Sequence, residues 1–467
     1  MKSVKLLLLF LIAGFSFQSR AQNDTLLFNK VGEFKYSFLY SCYTAIFDEL
    51  GRDYIFTTRN EIGIITFDIS DIQNPQPIDT ILPSQLNGWK MTNVSQNGYY
   101  LYASIGGFQS GNQDAGLAII DVTDPSSPVL TDVWDSTYFD EGAAIALNVG
   151  DYAYLGVMDS GLVILNVADK NNIQYVSYVH PFANFPQVPG PFSIPNGRGL
   201  TFRNDTILLC NDAGGFRMID VTDKNNPVEV DMYVNTALHA QAAAAYNNVA
   251  LSFDQKYAYI PVDYCGLDVV DVSGGATSNV NWINPWNCSP TNWDGNDGHT
   301  NQIENYGDSL LFMSGGNTEL LVYDISDKTN PTLFAGYYNL MDTMACWGMD
   351  VKDNRVVLAM INNPIGVPYD SNWGGIQILE FTPSSTSNIS EPEIPTVKIF
   401  PNPASGQINI ITEEPIKEVF VTSPEGKTFE VSFAGNNLLE VDHLPSGMYF
   451  LQIKFQNYIV VEKIIIN

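Results

Sequence analysis

Short, continuously apolar segments recur along the chain, and each is closed by a polar turn. In Gly116–Pro128, GLAIIDVTDPSSP, an apolar run follows a glycine and ends at an acidic residue and a Thr-Asp-Pro turn. A run of about six residues is too short for a helix, and a strand that is apolar at successive positions is covered on both faces. The pattern therefore predicts buried strands that end in tight turns.

Related segments occur seven times, at intervals of 45 to 56 residues. They begin at Gly63, Gly116, Gly161, Gly215, Gly266, Glu319 and Gly375. A self-similar period of this length is typical of repeat architectures. Each repeat also contains two strands before the apolar run and one after it, which is enough for one four-stranded sheet. Because a sheet sandwiched between two neighbours has no polar face, we predict an all-β fold with a seven-bladed β-propeller over residues 22–383.

The seventh repeat lacks an outer strand, because GIQILEFTP (375–383) runs directly into a Ser-, Pro- and Glu-rich segment. The missing strand has a counterpart at the other end of the chain. DTLLFNKVGEF (Asp24–Phe34) has the pattern of the outer strands of the other repeats. Since closing the ring would remove exposed sheet edges, we predict that residues 25–34 complete the seventh blade.

The residue that ends each apolar run is acidic or an amide. These residues are Asp68, Asp121, Asn166, Asp220, Asp271, Asp324 and Glu380. Their side chains can accept hydrogen bonds from nearby backbone N–H groups, so we predict that they fix the turn to the outer strand. A ladder of calcium sites is the alternative.

The N-terminus has the pattern of a secretory signal peptide. Lys2 and Lys5 precede an apolar stretch of about 12 residues, and Ser19-Arg20-Ala21 forms a small-x-small site. We therefore predict cleavage after Ala21 and exclude residues 1–21 from the fold. The apolar stretch is shorter than the roughly 20 residues that span a membrane, and we predict no transmembrane segment in the mature chain.

Charge and cysteine content narrow the function further. A net charge of −29 repels phosphate backbones, so nucleic-acid binding is not expected. Export permits disulfides. Cys265 and Cys288, at the end of one loop and within the next, are our first predicted pair. Cys42 and Cys346, which open the first strands of the first and last repeats, are the second.

The segments LAIID, LVILN and LDVVD resemble those of the LVIVD-repeat family. The resemblance covers roughly residues 24–383 and rests on the repetition more than on any single copy. It implies a secreted or surface-exposed β-propeller. The family supplies no catalytic motif to transfer to this chain.

A different pattern follows a linker at residues 384–395. TVKIFPNPASGQINI (Thr396–Ile410), SPEGK (Ser423–Lys427), LPSGMYFLQIK (Leu444–Lys454) and the terminal VVEKIIIN predict a small antiparallel β-sandwich over residues 396–467. These four pieces resemble, in order, the type A sorting domain of the type IX secretion system. The resemblance implies the type IX machinery as a partner and export to the surface or surroundings of a Gram-negative bacterium. A carbohydrate-binding or immunoglobulin-like appendage is the alternative.

The connections of the repeats divide between two faces. Turns between first and second and between third and fourth strands are short and uniform, and we call their side the short-loop face. The opposite, long-loop face carries the extended connections, at residues 106–115, 180–197, 235–247, 285–299, 339–346 and 362–374. Because extended loops usually carry binding or catalysis, we expect function on the long-loop face.

The segment from Asn281 to Gln302 carries the strongest binding candidates. Trp282, Trp286, Trp293 and His299 combine aromatic planes with neighbouring amides, which suits stacking on sugar rings or gripping a peptide. The alternative is that the tryptophans pack the loop. A second set of polar residues, Asp294, Asn296 and Asp297, suggests a calcium loop, but their spacing departs from the alternating pattern, so no cofactor is expected beyond this weak calcium candidate.

Catalysis is the competing hypothesis. His239 and His299 lie just ahead of first strands, where they could act as acid and base with Glu141, Arg198 and Asp350 as candidate neighbours. The sequence contains no G-x-S-x-G or H-E-x-x-H motif. We therefore expect a glycan- or protein-binding module. An extracellular polysaccharide hydrolase or lyase, or a structural surface-layer component, is the alternative.

Overall fold

The computed structural model describes most of the chain outside the N-terminal segment and several loops. It describes residues 25–36, 41–59, 62–106, 114–181, 195–235, 237, 245–284, 288, 299–316, 319–337, 344–363, 371–384, 397–412, 415–423, 427–429, 431–434, 437–454 and 459–467. The predicted signal peptide with its cleavage site after Ala21 lies outside these residues, as does nearly all of the predicted linker.

Seven four-stranded antiparallel sheets lie between residues 25 and 384 of the described chain. In six of them, four consecutive strands are ordered from first to fourth across the sheet. The first strand of the chain, β1 (Thr25–Lys35), belongs to the seventh sheet. The first three sheets consist of β2 (Thr44–Phe47), β3 (Tyr54–Arg59), β4 (Gly63–Asp68) and β5 (Gln76–Ile81); of β6 (Met91–Asn97), β7 (Tyr100–Ile105), β8 (Ala115–Asp121) and β9 (Val129–Ser136); and of β10 (Ala143–Val149), β11 (Tyr152–Val157), β12 (Gly161–Asn166) and β13 (Gln174–Val179). The next three consist of β14 (Leu200–Arg203), β15 (Thr206–Cys210), β16 (Phe216–Asp220) and β17 (Val228–Tyr233); of β18 (Ala250–Leu251), β19 (Tyr257–Pro261), β20 (Leu267–Asp271) and β21 (Ser278–Ile283); and of β22 (Ile303–Tyr306), β23 (Leu310–Ser314), β24 (Leu320–Asp324) and β25 (Thr332–Tyr337). Between strands of the described chain lie 3-10 turns at Pro83–Gln85 and at Asp263–Cys265.

The seventh sheet joins the two ends of this region. It contains β26 (Cys346–Lys352), β27 (Arg355–Asn363) and β28 (Ser371–Ser384), and β1 is its outer strand. The pairing is antiparallel, with Gly32 opposite Ile378 and Leu27 opposite Thr382. The prediction that the N-terminal segment supplies the outer strand of the seventh repeat is therefore confirmed.

The hydrophobic core lies between neighbouring sheets. The third strand of each of the first six sheets is buried along its length except at its last residue. One buried cluster joins Tyr154 and Ile164 of the third sheet to Leu209 of the fourth. Another joins Phe67 of the first sheet to Ile378 of the seventh, so the last sheet packs against the first. Burial on both faces explains why the third strands are apolar at successive positions.

Glycine opens the third strand where the backbone leaves no room for a side chain. Gly63 has a φ of +121°, and a Cβ there would lie 1.8 Å from the carbonyl oxygen of Ile81. Gly161 has a φ of +84° and would clash with Pro181. A glycine is therefore required at both positions.

The turn role predicted for the residues that end the third strands is confirmed in six repeats. Asp68, Asp121, Asn166, Asp220, Asp271 and Asp324 each accept a hydrogen bond of 2.7–3.0 Å from the backbone N–H two residues later. Glu380 instead accepts a bond of 3.2 Å from Arg355 Nε. Within the described residues, no cluster of His, Cys, Asp and Glu is arranged to hold a metal ion.

Two further four-stranded sheets lie in the C-terminal region. Their strands are β29 (Lys398–Phe400), β30 (Gln407–Ile411), β31 (Glu418–Thr422), β32 (Thr428–Phe429), β33 (Ser432–Ala434), β34 (Leu438–Glu440), β35 (Gly447–Lys454) and β36 (Ile459–Ile466). One sheet has the order β29-β30-β34-β33 and the other β32-β31-β35-β36. Ile410 and Leu439 of the first sheet share a buried cluster with Leu451 and Ile464 of the second.

Candidate functional site

The first strands of the seven sheets begin around one shared cavity of about 40 Å³. Every sheet contributes to its wall; the residues include Thr44, Thr92, Ile145, Arg198, Asn248, Asn301 and Trp347. Because the fourth-to-first connections end here, the cavity lies on the long-loop face. We call this cavity and the residues in contact with its wall the channel mouth.

His299 is fixed in the channel mouth by three neighbours. Its Nε2 lies 3.2 Å from Asp263 Oδ1, and its ring stacks on Trp347 with centroids 5.6 Å apart. The edge of the Tyr264 ring completes the enclosure at 5.0 Å, and His299 is only 4% exposed. Trp347 in turn meets the Tyr43 ring edge-on at 6.0 Å. The mouth thus combines aromatic surfaces with a histidine–carboxylate contact.

Asp263 holds this arrangement from a strained turn. Its φ of +23° lies in the region that side-chain-bearing residues rarely adopt. Asn247 Nδ2 donates to its carboxylate at 2.6 Å, and its backbone carbonyl accepts bonds of 2.8 and 3.0 Å from the N–H and hydroxyl of Thr300. Such strain persists only where the surroundings over-determine the conformation, which is common at binding sites.

A buried ion pair adjoins the contact between His299 and Asp263. Arg198 lies 3.6 Å from Asp212 and donates to Asn301 Oδ1 at 3.1 Å, while Asn301 donates to the Trp347 carbonyl at 2.9 Å. Burial raises the pKa of Asp212 to about 6, with Arg198 opposing the shift and Asp263 adding to it. A continuous polar network therefore runs through the mouth from the fourth sheet to the seventh.

The predicted aromatic candidates do not all reach the mouth. Trp282 lies on the outer strand β21, half-buried, and its indole N–H donates to the carbonyl of Cys265 at 2.8 Å. It therefore supports the turn that carries Asp263 and Tyr264. Cys265 is bonded to Cys288, as the first predicted pairing has it, and the bridge ties the following loop to the same turn.

The second predicted disulfide is wrong. Cys42 and Cys346 are both buried thiols and are not joined. Each is engaged instead with its own segment of chain, because Cys42 Sγ donates to the Thr44 carbonyl and Cys346 Sγ to the Gly348 carbonyl, at 3.4 and 3.2 Å.

Several other candidates cannot be placed in the site. His239, Trp286, Trp293, Asp294, Asn296 and Asp297 lie outside the described residues. Of their candidate neighbours, Arg198 is at the mouth, but Glu141 is absent from its lining. His180 and His443 are exposed, the latter beside Asp442 in the C-terminal region.

A larger cavity of about 420 Å³ continues from the mouth between the first strands. Its lining includes Glu304, Asp350 and Lys352. Glu304 accepts a bond of 3.1 Å from Val351 N, and Asp350 accepts one of 2.7 Å from Phe47 N. Burial raises the pKa of Asp350 to about 6, and burial followed by repulsion from Asp350 raises the pKa of Glu304. Hydrogen bonding between the two carboxyl groups contributes to the pKa shifts of both, and such a bond requires that one of them is protonated.

The sequence contained a signal for some of the residues that our reading of it missed. Asp212 and Asp263 both stand three positions before the glycine that precedes the third strand, at Gly215 and Gly266. An acidic residue that recurs at one repeat position on the long-loop face indicates a shared location, and this recurrence is visible in the sequence. No comparable pattern marks Trp347.

The carboxyl pair gives a testable pH dependence. A pKa raised in the folded state contributes stability below the unfolded value of about 4, which is lost as the pH rises through about 6. We expect Asp350→Asn, which can still bond Phe47 N and Glu304, to reduce the fall in unfolding free energy between pH 5 and pH 8 by about 1.4 kcal/mol, because about one unit of the raised pKa lies above pH 5. Denaturant titrations at several pH values measure it.

Asp353→Asn is the matched control, because it removes the same charge three residues away at an exposed position. It should leave the pH dependence of the wild type unchanged. Equal curves for Asp350→Asn and the wild type would contradict a protonated carboxyl group in this pair.

Comparison with sequence families identifies two kinds of unit. The model of the LVIVD repeat matches residues 93–135, 142–179, 247–280 and 297–339, which correspond to the second, third, fifth and sixth sheets. The model of the secretion system C-terminal sorting domain matches residues 398–467. Among curated proteins, no relative matches the chain. The sorting domain indicates export by the type IX system to the cell surface or extracellular space. No helix among the described residues could cross a membrane.

Solved structures share the fold at low sequence identity. The crystal structure of RRP9 WD40 repeats matches with a TM-score of 0.52 and 9% identity, covering 76% of this chain and 97% of that one. The structure of U3-55K matches with a TM-score of 0.50 and 8% identity, covering 76% and 98%. At such identities the likeness concerns the fold alone, and it shows a β-propeller-like arrangement.

Proposed function

We propose that this exported LVIVD-repeat protein is a seven-bladed β-propeller that binds an extracellular glycan or protein ligand at its channel mouth. In this proposal residues 22–383 form the propeller and residues 384–395 form the linker. Residues 396–467 form a β-sandwich that targets the chain for export. Cleavage after Ala21 would precede folding. The ligand-binding residues are Trp347 and His299, with the 285–298 loop adding Trp286 and Trp293.

The arrangement of the seven sheets supports the architectural part of this proposal. Consecutive sheets share buried clusters, and the seventh packs on the first. The strand β1 pairs with the outer edge of β28, so the seventh sheet has a fourth strand like the other six. Closed propellers commonly use the loops around one end of the axis for binding, because the ring holds those loops rigidly.

One observation supports the functional part above all others: aromatic or hydrogen-bonding side chains converge on the cavity from every sheet except the third, which contributes Ala144 and Ile145. Stacked rings beside amides and a guanidinium suit a polar ligand with flat apolar faces, such as a sugar or a peptide end. The buried Arg198–Asp212 and His299–Asp263 contacts pre-organise these groups, which reduces the entropy lost on binding.

The test is ligand retention by the full chain on glycan and protein arrays. We expect Trp347→Ala and His299→Ala to weaken retention of the bound ligand by at least about tenfold, because buried aromatic anchors dominate binding energy. Surface plasmon resonance with the ligand so found measures the affinity, and thermal melting checks that each variant is folded.

His180→Ala is the matched control, because His180 is exposed and absent from the mouth lining. Its affinity should equal that of the wild type. Folded mouth variants that keep full affinity would refute the proposed site. A wild-type chain that binds nothing and self-associates would favour a structural surface-layer role.

A further inference from the structure

A second large cavity lies on the short-loop face, opposite the channel mouth. It has a volume of about 610 Å³ and crosses the short turns of the second to fifth sheets. Volumes between about 300 and 1,000 Å³ are typical of ligand pockets. We call it the turn-side groove and define it by Asn97, Tyr100, Asn148, Lys170, Phe202, Arg203 and Gln255.

The groove concentrates positive charge on a strongly acidic protein. Lys170 and Arg203 line it, while Asp151 supplies the carboxylate among the described lining residues. Burial lowers the pKa of Lys170, with Asp151 opposing, and burial also lowers the pKa of Arg203. Both cations are therefore partly removed from water on a chain whose net charge is −29. Asp151 and Asp271 oppose the two pKa shifts, but within the described part of the chain neither cation forms a direct ion pair with a carboxylate.

Comparison with the other repeats shows that Lys170 is an exception. Lys224 and Lys328 occupy the same position four residues after the third strand, and they form ion pairs with Asp205 and Asp308 at 3.0 and 2.7 Å. Lys170 donates instead to the Val167 carbonyl at 2.6 Å. Its Nζ lies 5.8 and 5.7 Å from the ring centroids of Tyr100 and Tyr102. Asp151, which occupies the repeat position of Asp205, raises the pKa of Lys170 but forms no direct ion pair with it among the described residues.

Arg203 has spare hydrogen-bonding capacity at the other side of the groove. Its Nη1 donates to the Gln255 carbonyl at 2.8 Å. Its Nε is buried and has no hydrogen-bond partner among the described residues. A buried N–H without a partner costs free energy that an acceptor on a ligand would recover.

The remaining lining residues match a sugar. Tyr100 and Phe202 present half-buried rings on which a pyranose could stack. Asn97, whose amide nitrogen donates to Asn148 at 2.9 Å, keeps its amide oxygen for a sugar hydroxyl group, and Gln255 supplies a second amide. A carboxylate accepts charge-assisted hydrogen bonds from both lysine and arginine. We propose that the turn-side groove is a second ligand site, which binds an acidic oligosaccharide through the carboxylates of its uronate residues.

The test uses oligogalacturonate and its fully methyl-esterified form, which keeps the rings but removes the charge. Calorimetry on the full chain should detect binding of the acid but at least about tenfold weaker binding of the ester. Binding of the acid should also weaken as salt is raised. Equal affinity for acid and ester, or no binding of the acid at low salt, would overturn the inference.

Variants locate the site. Lys170→Gln and Arg203→Gln should each weaken binding of oligogalacturonate about tenfold. Lys224→Gln, the matched lysine that is already paired with Asp205, should leave it unchanged. Loss of binding in Trp347→Ala but not in Lys170→Gln would move the ligand to the channel mouth, which would overturn this inference and leave the proposed function standing.

Discussion

Replacing Phe28 by alanine is expected to lower the free energy of unfolding by about 3 kcal/mol, the lower end for loss of a phenylalanine because the ring is half-buried. Phe28 sits on β1, opposite Phe381, and its ring centroid lies 5.9 Å from that of Phe381. It also meets Phe312 and Tyr337 of the sixth sheet at 6.5 and 6.4 Å. The Phe28 side chain thus packs the N-terminal strand against both the sixth and the seventh sheet. Denaturant unfolding followed by tryptophan fluorescence measures the loss.

Leu27→Ala provides the matched control in the same strand. Leu27 is 59% exposed, so its truncation should change the stability by less than about 0.5 kcal/mol. Equal effects for Phe28→Ala and Leu27→Ala would mean that β1 contributes only backbone pairing and that the aromatic contacts add nothing.

Replacing Arg217 by methionine is expected to destabilise the protein by about 3 kcal/mol. Arg217 is completely buried on β16, where it pairs with Glu229 at 2.7 Å and donates twice to the Gly214 carbonyl, at 2.9 and 2.6 Å. Methionine fills much of the volume but leaves the carboxylate and the carbonyl without their donor. The denaturation midpoint of the variant measures the effect.

Two further variants separate the cause. Arg217→Met combined with Glu229→Gln removes the stranded charge, so it should recover part of the loss. Arg355→Met removes a comparable pair with Glu380, but that pair is 38% and 35% exposed and should matter by less than about 1 kcal/mol. Comparable losses at Arg217 and Arg355 would be inconsistent with burial as the reason.

The repeat pattern predicted much of the fold because it records local geometry. Each apolar run became a third strand that is buried on both faces, and each Asp or Asn at its end became a turn acceptor. The pairing of β1 with β28 was also predictable, since an outer strand was missing at one end of the repeats and present at the other. These features depend on the order of residues within one repeat or on the count of strands.

The candidate sites were predicted less well. His299 and Arg198 were both named from the sequence; Arg198 lines the cavity of the channel mouth, and His299 contacts its wall by stacking on Trp347. Trp347 and Asp263 complete the mouth from the seventh and fifth sheets, and nothing in the sequence placed them beside His299. Trp282 was grouped with His299 by proximity along the chain, yet it supports the turn from the outer strand.

The amino-acid sequence by itself determined the strands, their turns, the closing N-terminal segment and the exported character of the chain. These follow from periodicity, turn chemistry and terminal motifs, which are local properties. Only the tertiary structure decided which polar groups share a cavity, that Glu304 and Asp350 raise their pKa values in one buried pair, and that Lys170 donates to a carbonyl where its counterparts form ion pairs. Those outcomes depend on distances between repeats, and residues about 50 positions apart become neighbours only when the sheets pack side by side.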